Sequence, residues 1–582
     1  MYRPSVVGYR VQARLYLTED AGRLTSAIRL GDGRVAAVDW SCTRIRRRKE
    51  GERIVSAVVN IINFIRGVEP RDPQCDLVGT VRQQIDLARQ HGFPVTWLLQ
   101  YDALIDPRFQ AMMRDLPAGH EIGIWFETPQ PLVERAGLRW RGRPGYAWDW
   151  HAHVGFSVGY SPAEREAMAD VCMSAFRELF GAYPRSVGSW FMDAHLLAYL
   201  CDRYGIEASC NCRDQIGTDG YTLWGGYWAQ AYYPSRRNAY VPAQSPDQQI
   251  GVPVFRMLGS DPIYQYSAGL GENGQGVVTL EPVYAGDGGG GDPKWVSWYF
   301  DSLTRHPSLH FTYAQVGQEN SFGWPAMHKG LMDQFNRIHA LRDAGAIRLE
   351  TLGDTGRWFR KRFSVTPATT AMALADWRGE GRRSVWYNSR YYRANLFWDG
   401  EALMIRDLHL FDQAYAERYL KQVCASPDAA YDTLPVCDGF VWSDRECAAG
   451  IRLYRSDGRR LGAAEPIVNT DLPDRLDIRW NEPDSGTVHV SCTEETLSIR
   501  CDGLADWHAE MGWARSVKPP ITGVRRDRLT YRYEQHPYSW LVTTGRAERK
   551  GAQTVVFRPE QDTLSWSFRT TGRSSMTRGG LR

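Results

Sequence analysis

Apolar residues along the chain gather into short continuous runs separated by amphipathic stretches. Residues 54–65, IVSAVVNIINFI, form an almost unbroken β-branched run. Such a run is expected of a strand buried on both faces in a parallel sheet. Leu77, Val81, Ile85 and Ala88 then recur at helical spacing, and Gly92 ends that helix. The alternation continues with a strand over 94–101, a short helix over 107–116 and a strand over 120–126. A long loop, 128–160, is rich in Trp, Arg, Gly and His. Ser161-Pro162-Ala163-Glu164 predicts a helix start, since Ser caps, Pro suits the first turn and Glu can close a capping box. That helix runs to Phe180, before Gly181. Further strands are expected over 186–193, 206–211, 252–258, 309–316 and 346–352, with helices over 194–204 and 325–344.

Strand followed by helix, repeated, implies parallel strands joined by right-handed crossovers. Seven or eight such units favour a closed (β/α)7-8 barrel over 53–363. Residues 1–52 read as an Arg-rich, poorly periodic N-terminal extension. After about residue 363 the segments SVWYNS, NLFWDG, DRLDIRW, TVHVSC and TLSIRC are short and alternating, with turn residues between them. They predict an antiparallel β-sandwich domain over 364–582. The run GDGGGG at 286–291 matches neither phosphate-binding glycine motif, because no Lys-Ser/Thr or helix start follows it.

Composition narrows the function classes. In 582 residues, 43% are hydrophobic and 24% charged, and the formal net charge is +3. No global basic field exists for nucleic acid. The one basic cluster, Arg44 to Lys49, reads as a solvated linker. No 18-residue apolar run predicts a membrane span, and the N-terminus lacks a secretory h-region, so a cytoplasmic location is expected. Eleven Cys have no disulfide-scaffold spacing. The 22 Trp and 29 Tyr are the unusual feature, with many in predicted loops. Their flat apolar faces and polar edges suit sugar rings as well as a large core.

In a β/α barrel, reactive side chains sit at the C-terminal ends of the strands. Those ends supply Arg66, Glu69, Arg71 and Asp72; Tyr101 and Asp102; Glu127; Asp193 and His195; Asp214 and Asp219; Asp261; and Gln318, Glu319 and Asn320. Carboxylates converging on one face suit glycosidic cleavage, which uses one carboxyl to protonate the leaving oxygen and another to attack or to activate water.

Several segments resemble a known superfamily. GHEIGIWFE (119–127) looks like the strand shared by NodB-type polysaccharide deacetylases and family 57 glycoside hydrolases. VGSWFMDAHLLAYL (187–200) resembles the family 57 segment that carries the nucleophile, which implies that role for Asp193. GQENSFGW (317–324) resembles the later segment that carries the acid/base, which implies that role for Glu319 after a one-residue shift. GAIRLETLGD (345–354) resembles the closing strand. The resemblance covers about 54–360 and implies a glycoside hydrolase/deacetylase barrel. The chain departs from both groups. The first strand ends NFIRGVEP, without the deacetylase Asp pair or the family 57 His-x-His, and Trp125 stands near the place of the first metal His.

The expected function is therefore glycoside hydrolysis in a polar glycan. Asp193 is expected as nucleophile or base, Glu319 as acid, and His195 as an aid to proton transfer. Expected sugar contacts are Arg66, Glu69, Asp72, Tyr101, Glu127, His151, His153, Trp190, Asp214, Asp261 and Asn320. Asp72 with His195 offers an inverting alternative, and Arg66, Arg71, Arg141 and Arg143 suit a substrate carboxylate. One rival is a metal-dependent amide or ester hydrolase using His151, His153 and an Asp. Another is a glycan-binding protein that keeps the barrel as a scaffold. The main reading involves no cofactor or metal, and its partners are a carbohydrate substrate and, as an option, a second copy in a homodimer.

Overall fold

The sheet that carries the site is built around β1 (Ala57–Ile65), all nine of whose residues are buried. In the computed structural model the described residues are 57–569 apart from 273, 463–464, 483–485 and 505, together with 16–20, 23–29 and 35–38. The basic cluster at 44–49 lies outside them. Contacts divide the chain into Met1–Ile54 and Val55–Arg582. The first unit contains a three-stranded antiparallel sheet of Tyr16–Asp20, Arg23–Arg29 and Val35–Val38.

In the second unit, seven strands join β1 in parallel register: β2 (Thr96–Leu99), β3 (Glu121–Trp125), β4 (Ser186–Gly188), β5 (Ala208–Asn211), β6 (Val254–Arg256), β7 (Thr312–Val316) and β8 (Ile347–Glu350). The ladder runs from β6 through β5, β4, β3 and β2 to β1, and β1 also pairs with β7 and β8. Helices Leu77–His91, Pro162–Phe180, Ala194–Tyr204, Trp324–Asp343 and Leu352–Arg362 connect the strands. This is a curled parallel sheet backed by helices, consistent with a barrel. Among the described residues no backbone ladder joins β6 to β7. A side chain bridges them instead, Gln315 Oε1 accepting from Leu258 N at 3.0 Å. Ser161 makes the expected capping box with Glu164.

Two polar residues in apolar β1 have structural tasks. Asn60 Nδ2 donates to Glu350 O and Thr355 Oγ1, both at 2.8 Å, and so ties β1 to β8 and the helix after it. Asn63 Oδ1 accepts from Gln318 N at 3.2 Å and fixes the segment that follows β7.

The later part of the chain is mostly antiparallel, in a nine-stranded and an eight-stranded sheet. Its strand Ala429–Asp432 instead runs parallel to Tyr221–Trp224, one arm of the hairpin that leaves β5. That pairing holds the hairpin over the barrel mouth. The hairpin turn, Asp219-Gly220, has φ of +59° and +78°, the type I′ geometry that Asp-Gly favours. No helix of the described residues is long and apolar enough to cross a membrane, and every described cysteine is free.

Candidate active site

A cavity of about 610 Å³ lies at the C-terminal ends of the strands, within the range of small-molecule sites. Its wall includes Arg66 and Glu69 after β1, Trp148, Trp150 and His151 from the 128–160 loop, and Trp190 after β4. Arg213, Asp219 and Tyr221 reach it from the β5 hairpin, Glu281 and Tyr284 from the loop after β6, and Glu319 and Ser321 after β7. Pro427 and Asp428 of the β-rich region complete the rim. Aromatic faces beside charged groups match the mixed surface of a sugar.

Glu319 is aimed by its backbone. Gly317 has φ of +104°, and a Cβ there would lie 2.2 Å from Ile62 O. Only glycine passes so close to β1 in that conformation. The turn delivers Glu319 to Arg66, whose Nη1 is 2.8 Å from Glu319 Oε2. Ser321 Oγ donates to Glu319 Oε1 at 2.7 Å. Oε2 has no hydrogen bond, because the Arg66 contact lacks the geometry of one. Burial outweighs Arg66 and raises the Glu319 pKa.

Arg66 is held from behind. Its Nε and Nη2 donate to the two oxygens of Glu127 at 3.1 and 2.9 Å. Asn320 clamps its backbone, accepting from Arg66 N and donating to Arg66 O, both at 2.9 Å. The guanidinium also lies 4.0 Å from the ring centroid of Trp148. Glu69 sits 4.0 Å from Arg66 and is gripped at both oxygens by Arg71, at 2.8 and 2.6 Å. Burial opposes ionisation of Glu69, but Arg71 brings its pKa below the usual range. Two guanidiniums thus face three carboxyls. Crowding of the three carboxyls disfavours ionising all of them, and Glu319 is the member whose pKa is raised by burial.

Glu281 is the second buried carboxyl in the wall. Thr279 Oγ1 donates to it at 2.9 Å and Gln318 Nε2 at 3.3 Å. Burial raises its pKa, against Arg213, Thr279 and Gln318.

Of the residues singled out from the sequence, Arg66, Glu69, Arg71, Asp72, His151, Trp190, Asp219 and Glu319 line this cavity. Glu127 and Asn320 stand behind Arg66 and act through it. The others need correction. Asp193 is wholly buried away from the cavity. It caps helix Ala194–Tyr204 and pairs with Arg165 at 2.9 Å, with neither side chain exposed. His195 lies on that helix and contacts Glu166 at 2.8 Å, so the Asp72–His195 pair does not form at the cavity. Tyr101 is buried at the start of a short helix. Asp214 is bound by Arg256 and Arg393. Asp261 accepts from the indoles of Trp295 and Trp377 at 2.8 and 3.2 Å. His153 stacks on His151 at 5.8 Å and is not in the wall. The nearby Asp149 lies 3.3 Å from His151 and is gripped at both oxygens by Arg143. Arg141 binds Glu164 at 2.8 Å. Among the described residues the one three-ligand group is Asp407, His409 and Asp438, buried in the β-rich region.

Sequence reasoning missed Glu281, Arg213, Trp148, Trp150 and Tyr284 as site residues. The length of the loop after β6, at the face where barrels hold their sites, was the available signal.

The molecule is thus a parallel-stranded barrel-like fold with an acidic, aromatic cavity at its strand ends. No family model matches the sequence, and no curated protein does. Solved structures do show likeness. A candidate glycoside hydrolase/deacetylase from Parabacteroides distasonis is 15% identical with a TM-score of 0.49, over 65% of this chain and 91% of that one. A candidate polysaccharide deacetylase from Mycobacterium smegmatis is 14% identical with a TM-score of 0.33, over 53% and 91%. A glycoside hydrolase family 57 branching enzyme from Thermococcus kodakaraensis is 10% identical with a TM-score of 0.27, over 53% and 72%.

Proposed function

We propose that the chain is a carbohydrate-active enzyme and, more narrowly, a glycoside hydrolase acting on a polar glycan. The observation that carries the reading is Glu319: a buried carboxyl with a raised pKa, paired with Arg66, in the wall of an aromatic cavity. Glu319 donates its proton to the leaving glycosidic oxygen. Glu281, the other buried carboxyl of the same wall, takes a proton from the attacking water or attacks directly. It replaces Asp193 in that role. Arg66 and Ser321 orient Glu319, and Glu127 and Asn320 orient Arg66. The β-rich region, read as a sandwich, serves as part of the rim through Pro427 and Asp428.

The test is a panel of aryl glycosides and soluble polysaccharides, assayed for new reducing ends and for released acetate. Glu319→Gln and Glu281→Gln should each lose about 10²–10⁴ in turnover, the range for general acid–base groups, with melting temperature unchanged. Undiminished hydrolysis by either variant removes its assignment. Acetate release without new reducing ends makes the protein a deacetylase instead. Binding without either product makes it a glycan-binding scaffold.

A further inference from the structure

We propose that the cavity holds a carboxylate-bearing sugar, a uronic or sialic acid residue, on Arg213. The inference deepens the glycan reading above and rests on it only for the word sugar.

Arg213 is 3% exposed and lines the cavity. Its Nη1 donates to Asp214 O at 2.8 Å. Among the described residues its buried Nε has no hydrogen-bond partner, and Nη2 makes no hydrogen bond. Among the described residues no carboxylate lies within 4.0 Å of it, whereas the buried guanidiniums Arg66, Arg165, Arg256 and Arg393 each have one; Arg406, also buried without one, lies over the Tyr266 and Phe397 rings and does not line this cavity. A desolvated guanidinium without a counter-ion is expensive, and folded chains pair or hydrate such groups. Glu281 interacts with it electrostatically from beyond ion-pair distance.

Nε is buried, and Nη2 is the donor left to a ligand in the cavity. A guanidinium N–H makes a charge-assisted hydrogen bond to a carboxylate oxygen. Sulfate presents oxygens as well, so the charge alone does not separate the two ligands and the experiment must. The aromatic wall supplies the face for the ring that bears the carboxylate.

Equilibrium binding by calorimetry tests this on the full chain. D-glucuronate, D-galacturonate and N-acetylneuraminate are each compared with a neutral counterpart of the same ring, and glucose 6-sulfate is added as a fourth probe. At least one acid sugar should bind about tenfold or more tightly than its neutral counterpart, as a charge-assisted bond implies. Arg213→Met should erase that preference, and Arg213→Lys should keep part of it. Melting curves establish that the variants are folded. If no acid sugar is preferred, or if the preference survives in folded Arg213→Met, the proposal fails. Glucose 6-sulfate binding better than every carboxylate also overturns it, in favour of a sulfated ligand. The outcome is separable from the hydrolase reading. Uronate bound on Arg213 without turnover leaves this site standing and removes the hydrolase, whereas turnover of neutral glycosides only does the reverse.

Discussion

Asp193 and Glu319 follow parallel strands at the same face of the sheet, and each is paired with a buried arginine. At Asp193 both oxygens are hydrogen-bonded. Oδ1 takes Arg165 Nη1 and Leu196 N, both at 2.9 Å, and Oδ2 takes Ser157 Oγ at 2.6 Å. Arg165 in turn donates to the backbone of Tyr419 and Gln422, so the β-rich region covers the pair. At Glu319 only Oε1 takes a hydrogen bond, Oε2 meets Arg66 without the geometry of one, and the side chain borders the cavity. The two differ less in residue type or pairing than in what lies over them. A saturated, covered carboxylate is part of the architecture, and an unsaturated one facing a cavity is available for chemistry.

The largest effects should fall oppositely at the two positions. Glu319→Gln should lower turnover by about a thousandfold, roughly 4 kcal/mol of barrier, and leave unfolding by urea unchanged. Asp193→Asn should do the converse. Stripping one partner from a buried pair strands the other charge and costs about 3–5 kcal/mol of stability. The fraction that remains folded should keep its activity. An Asp193→Asn protein of full stability but no activity would overturn the comparison.

The two sites were unequally legible in the sequence. Buried parallel strands are continuous apolar runs, so β1 to β3 and the helices between them could be read directly. The Ser161 capping box was visible because all its parts lie within four residues. The 186–193 segment was read as one strand, but pairing stops at Gly188 and Asp193 becomes a helix cap. Its partners Arg165 and Ser157 come from earlier segments, and the covering residues come from beyond 410. A local pattern cannot specify such a neighbourhood. Glu281 escaped for a related reason, since it sits in an aperiodic loop whose course is set by Thr279 and Gln318. Glu319 was legible as a residue, whereas its grip by Arg66 required β1 and β7 to be adjacent.

The next effect sharpens the account of how Glu319 is aimed. Gly317→Ala would force a side chain into φ of +104° against Ile62 O. It should cost about 1–3 kcal/mol of stability, the range for such strain. It should also lower turnover beyond what that loss explains, since the turn carries Glu319. Stability loss with turnover intact in the folded protein would make the turn merely structural.

A further effect probes the covered side through pH. Glu417 accepts from Ala194 N at 2.9 Å and Ala239 N at 2.8 Å. Burial first, then neighbouring Asp193, pushes its pKa up to about 8, against those two amides and Arg165. The folded pKa lies above the unfolded value near 4.5. The associated stability is therefore fully present below about pH 4.5 and is lost as pH rises through 8, at up to about 1.4 kcal/mol per pH unit. Urea midpoints of wild type should fall across that window relative to Glu417→Gln. Parallel pH profiles for the two proteins would show that the amide donors hold Glu417 ionised throughout.

The smallest effect belongs to His195. Its partner Glu166 is half-exposed, and their side chains are 31% and 39% accessible. Solvent screens such a pair, and exposed ion pairs contribute about 0–1 kcal/mol. His195→Ala should therefore shift the melting temperature slightly and leave turnover and its pH profile unchanged. The contrast with Asp193, two residues earlier, is the sharpest local form of the comparison. Both residues follow β4 and both were candidates for catalysis, yet one supports the fold and the other lies on its outer surface. If His195→Ala removed the basic limb of the pH–rate profile, helix Ala194–Tyr204 would have to turn toward the cavity during turnover. Asp193 would then lose the cap and the arginine that define it as structural.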